Sequence, residues 1–108
     1  MAKYAIFFKF TGATIKGMMD RPSDRAAVVS TLLEGVGGRM ESYYLMFGGW
    51  DGFVVCEAPD SAAAAAVSLA VTSTGAFASL ETHELIEVTG LAGILAKASS
   101  LTYSAPGA

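Results

Sequence analysis

Arg39–Glu57, RMESYYLMFGGWDGFVVCE, is the stretch whose reading decides the fold. Arg39 to Phe47 is rich in aromatic and long apolar residues, and Phe53 to Cys56 is a short apolar run. Between them lies Gly48-Gly49-Trp50-Asp51-Gly52. Glycine takes positive φ without a Cβ clash, and Asp-Gly is a favoured hairpin dipeptide. The two runs therefore read as strands of a β-hairpin.

Upstream, Lys3–Phe10 (KYAIFFKF) puts Tyr4, Ile6, Phe8 and Phe10 on one face of a strand and Ala5, Phe7 and Lys9 on the other. Large apolar groups on both faces predict a central strand covered on both sides. Thr11-Gly12 breaks it, and Thr14 to Met19 reads as a short turn of helix. Pro22-Ser23-Asp24 opens a longer helix, with Ser23 or Asp24 as cap. Ala27, Val28, Thr31, Leu32 and Val36 give it an apolar stripe, and Gly35, Gly37 and Gly38 end it.

Downstream, Pro59-Asp60-Ser61 starts a second helix, capped by Asp60 or Ser61. Ala62 to Ala66 are strong helix formers whose small side chains let a helix lie close to a sheet. The helix continues to about Ser73, and Gly75 terminates it. Phe77–Ile86 (FASLETHELI) is the fourth strand, with Phe77, Ser79, Glu81, His83 and Leu85 on one face. The order β-α-β-β-α-β is the split βαβ of a ferredoxin-like α+β fold, a four-stranded antiparallel sheet with helices on one face. The other face is still apolar and must find cover, most simply the same face of a second copy. Tyr43 and Tyr44 point to opposite faces, so one tyrosine lies on the uncovered side. Beyond Val88, Leu91, Ile94, Leu95, Ala98 and Leu101 mark an extra, amphipathic C-terminal helix, which packs on its own domain or reaches across to a partner. Ser104–Ala108 reads as a frayed end.

With 108 residues the chain reads as one domain, a core over 2–87 followed by a C-terminal helix and tail over 88–108. Apolar residues make up 53% and charged ones only 16%, against about 25% in an ordinary soluble domain, which again points to surface buried in a homo-oligomer. A net charge of −3 argues against nucleic acid. No basic run marks a membrane surface site, and the longest apolar stretch, Ala62–Val71, falls short of the roughly 20 residues of a span. The chain enters a strand almost at once without a signal-peptide pattern, and the single cysteine, Cys56, fits a reducing cytoplasm.

Five segments together resemble the GYD-domain proteins, small bacterial proteins named for a Gly-Tyr-Asp tripeptide. They are MAKYAIFFKFTGATIKGMM at the start, the Pro22-Ser23-Asp24-Arg25 helix opening, ESYY at Glu41–Tyr44, FGGWDGFVV in the hairpin and GAFASLETHEL in the last strand. The resemblance covers roughly Ala2 to Ile86. The tripeptide falls on Gly49-Trp50-Asp51, with tryptophan in place of tyrosine. What the resemblance implies is a dimeric α+β barrel, in which two ferredoxin-like sheets face each other. The wider barrel superfamily includes cofactor-independent monooxygenases, haem enzymes, isomerases and ligand-binding regulators, so the fold alone assigns no activity.

Few residues could carry chemistry. His83, the only histidine, shares a strand face with Glu81 and reads as a general base, an axial haem ligand or a solvated side chain. A lone histidine with no cysteine cluster makes no structural zinc site. Asp51 is a catalytic acid or the residue that sets the turn. Lys9 is a buried amine or snorkels to water. Trp50, Tyr43 and Tyr44 are candidates for stacking on, or bonding to, a ligand; packing against a neighbour is the other reading. No phosphate-binding loop and no G-x-S-x-G nucleophile motif is present. Two functions are thus expected: a homo-oligomeric small-molecule-binding or structural module without a cofactor, or a cofactor-independent monooxygenase or isomerase acting on a planar apolar substrate. The second needs a pocket lined by Trp50 or Tyr43 with His83, Lys9 or Asp51 inside it.

Overall fold

Strand β1 (Ala2–Phe10) runs through the middle of a four-stranded antiparallel sheet. It lies between β3 (Gly52–Ala58) and β4 (Phe77–Leu85), and β2 (Arg39–Leu45) pairs with β3, giving the order β2-β3-β1-β4. The computed structural model describes every residue, Met1–Ala108. Two helices, α1 (Gly12–Asp20) and α2 (Arg25–Glu34), connect β1 to β2, and α3 (Ser61–Thr72) connects β3 to β4. A short 3-10 turn, Val88–Gly90, leads into α4 (Leu91–Ser100). This is the ferredoxin-like α+β arrangement that the hairpin and its flanks predict.

The helix boundaries follow from local chemistry. Free backbone N–H groups at a helix start need an acceptor, and a short oxygen-bearing side chain supplies it. Thr11 Oγ1 accepts from the Thr14 N–H at 3.1 Å, Asp24 Oδ1 from Ala27 at 3.1 Å and Asp60 Oδ1 from Ala63 at 2.8 Å. The first of these turns the expected single turn at Thr14–Met19 into a nine-residue helix. Thr14 Oγ1 also donates to the Ala76 carbonyl at 2.7 Å, which ties α1 to the start of β4.

The core lies between the helices and the inner face of the sheet. Tyr4, Ile6, Phe8 and Phe10 of β1 meet Val54, Cys56 and Ala58 of β3, Leu33 of α2, and Ala64 and Val67 of α3. Two inner-face expectations are corrected. On α2, Leu32 and Val36 of the expected stripe do pack against the core, but Ala27, Val28 and Thr31 are exposed, and Leu33, with Val29 partly buried near it, faces the sheet. On β4, Phe77 does not share the face of Ser79, Glu81 and His83. Lys9 is opposite Ser79 but Phe10 is opposite Phe77, so Ala78 is an inserted residue that reverses the alternation. Phe77 thereby packs against Phe8 and Phe10, with ring centroids 5.8 and 5.2 Å apart.

Only 12 of 108 residues are buried, and every residue from Glu81 to Ala108 is exposed. The C-terminal helix therefore does not pack into its own core. The radius of gyration, 17.4 Å, exceeds the roughly 13 Å of a compact chain near this length, and the long axis reaches 56 Å. No helix is long and apolar enough to cross a membrane.

Candidate functional site

The outer face of the sheet, which no helix covers, collects most of the polar residues singled out above. Side chains alternate along each strand, so Ala5, Phe7 and Lys9 share this face with Phe53 and Val55 of β3, Tyr44 of β2, and Glu81 and His83 of β4. Phe7 is at its centre, with Phe53 at 5.5 Å, His83 at 5.9 Å and Trp50 at 6.1 Å between ring centroids; Tyr44 stacks on Phe53 at 5.5 Å. Polar pairs surround these rings: the ion pairs Lys3–Glu41 at 3.2 Å and Arg39–Glu57 at 2.8 Å, and the hydrogen-bonded His83–Glu81 at 3.0 Å. His83 and Glu81 are both more than half exposed, so their pair lies in water.

Asp51 is committed to the backbone. Its Oδ2 accepts from the Phe10 N–H at 2.8 Å, its own N–H donates to the Phe8 carbonyl at 2.8 Å, and its carbonyl accepts from the Met46 N–H at 2.8 Å. The carboxylate therefore extends the β1–β3 ladder past the end of β3, while Lys9 Nζ rests 3.8 Å from Oδ1. Asp51→Ala would leave the Phe10 N–H without its partner, and is expected to destabilise the fold by about 1.5–3 kcal/mol in urea denaturation. Asp51→Asn keeps an acceptor and should recover part of that loss.

The inner face holds a different site. Between the sheet, α2 and α3 lies a cavity of about 410 Å³. Its walls are apolar, built from Ile6, Phe8 and Val54 below and from residues such as Leu33, Val67 and Val71 above. The many alanines of α3 leave this room: Ala64 fits tight against the sheet, and Ala70 lines the cavity without filling it. Tyr43 reaches into the lining from β2. Burial pushes its phenol pKa up, and the neighbouring Arg25 guanidinium draws it back. Cys56, buried beneath the helices, has its thiol pushed up by burial.

The sheet thus separates the sequence candidates. Tyr43 lines the cavity, whereas His83, Lys9, Trp50 and Tyr44 face the other way, and Asp51 closes the hairpin. Arg25 was not singled out in the sequence. The available signal was a cation followed at the third and fourth positions by Val28 and Val29, where a solvated helix face would carry an acidic partner.

The hairpin geometry places Gly49-Trp50-Asp51 where the strand ladder is closed, and the GYD domain family matches residues 4–95. The chain belongs to the GYD domain family. The match begins in β1 and runs into α4, so it takes in the sheet except Ala2 and Lys3, and the first half of the projecting helix. In this GYD domain Asp51 is a backbone clamp, and its aromatic neighbour Trp50 belongs to the outer-face cluster. No curated protein matches the chain.

Proposed function

We propose that this GYD domain protein is a homodimeric binding module for a small apolar molecule, working in a reducing cytoplasm. The carrying observation is the inner-face cavity of about 410 Å³, lined almost wholly by aliphatic and aromatic side chains. The cavity is partly open to solvent, and a cleft of this size falls in the range of small-molecule sites. The acid–base candidates sit across the sheet from it, which favours binding without turnover. A saturable fluorescence rise with the neutral dye Nile red tests the reading. Val71→Phe, which fills the lining, should abolish it while leaving the thermal midpoint nearly unchanged. Dye binding that survives the filling would remove the cavity as the site.

The second copy covers the outer face. An aromatic centre ringed by charged pairs is the anatomy of a protein interface, and so few buried residues leave a single chain poorly protected. One buried thiol, Cys56, suits the reducing compartment. Sedimentation at low micromolar concentration is expected to show two chains. Phe53→Glu, placing a charge at the ring cluster, should weaken the pair about 30-fold or more. Single, folded wild-type chains would overturn the dimer.

A further inference from the structure

Four residues of the cavity lining carry side-chain polar atoms: Arg25, Tyr43, Ser68 and Thr74. Two of them are satisfied within the protein. Ser68 Oγ lies 3.1 Å from the Ala64 carbonyl and 2.7 Å from Thr82 Oγ1. Thr74 Oγ1 donates to the Val71 carbonyl at 2.7 Å and accepts from the Ala76 N–H at 3.2 Å. The other two have only each other. Every ion pair of the protein involves Lys3, Lys9, Lys16, Arg39 or His83, so the Arg25 guanidinium has no carboxylate within 4.0 Å. The Tyr43 phenol oxygen lies beside it, where it accepts from the guanidinium, and a phenol that accepts in this way still has its O–H to donate. A cation in an apolar wall loses hydration and gains from a counter-charge brought in with the ligand.

We propose that the cavity binds an amphipathic acid, an apolar body carrying one carboxylate, with the carboxylate held by Arg25 and the Tyr43 hydroxyl. This rests on the cavity being the binding site. A guanidinium presents two parallel N–H donors that match the two oxygens of a carboxylate, and the phenol adds an O–H donor at the same place. A single cation in the lining, on a chain of net charge −3, suits a monoanion and disfavours phosphates of higher charge. The apolar walls take the rest of the molecule.

The test is displacement of bound Nile red by decanoate and by decan-1-ol, which share a chain and differ in the head group. In the wild type, decanoate is expected to displace the dye at a concentration about tenfold or more below that of decanol. Arg25→Gln should bring the two competitors to parity, and Tyr43→Phe should reduce the preference by severalfold. Equal potency of acid and alcohol on the wild type, or a preference that survives Arg25→Gln, overturns the head-group assignment while the cavity stands. Should Val71→Phe leave dye binding intact, the cavity itself fails as the site, and the acid assignment falls with it.

Discussion

Gly52→Ala is expected to lower stability by about 3 kcal/mol, read as a shift of the urea midpoint. A Cβ on Gly52 would run into the Phe8 ring and stand 2.6 Å from the Tyr44 carbonyl oxygen. The ring cannot swing aside freely, because Phe10, Tyr43 and Phe77 pack around it with centroids 5.1, 5.7 and 5.8 Å away. The carbonyl is fixed as well, since β2 and β3 pair up to Leu45 opposite Gly52. Gly49→Ala is the control: nothing lies within 4 Å of its Cβ position, and its φ is not positive, so it should stay within about 0.5 kcal/mol of wild type. Equal stability of the two variants would show that β2 and β3 are not held at this distance.

Leu33→Ala should cost about 3–5 kcal/mol, a large part of the 5–15 kcal/mol that holds a typical domain folded. Leu33 is 1% exposed and sits in the wall of the 410 Å³ cavity. Truncation costs most where neighbours cannot move in to refill the space. Here the lost side chain would widen a cleft that already exists, so little collapse is available. A measured cost below about 2 kcal/mol would mean that α2 can settle onto the sheet and that the cavity is readily closed.

Much of the fold was legible because strong local signals agreed with one another. Asp24 and Asp60 announce their helices and do cap them, and Asp-Gly at residues 51–52 marks the hairpin. The parity of Tyr43 and Tyr44 places one on each face, as found. The failures have physical causes. An inserted residue such as Ala78 leaves no trace in composition, yet it moves Phe77 to the opposite face. In α2, apolar residues lie nearly all round the helix, so no stripe singles out Leu33 from Val28. The cavity depends on α2, α3 and β2 coming together, and no one segment carries its signature. Asp51 was conspicuous as a residue but not as a partner of Phe10, which lies 41 positions away.

The two outermost strands have one more consequence. Unpaired strand margins invite further strands to join, and that route leads to fibrous aggregates. β2 answers it with the irregularity between Met40 and Ser42, which disturbs its hydrogen-bonding rim and sends Glu41 toward Lys3. β4 answers it with Glu81, His83 and Glu84 along its length and with the interruption at Ala78. Sideways growth of the sheet is discouraged on both flanks, so neither margin offers a flat template for a further strand.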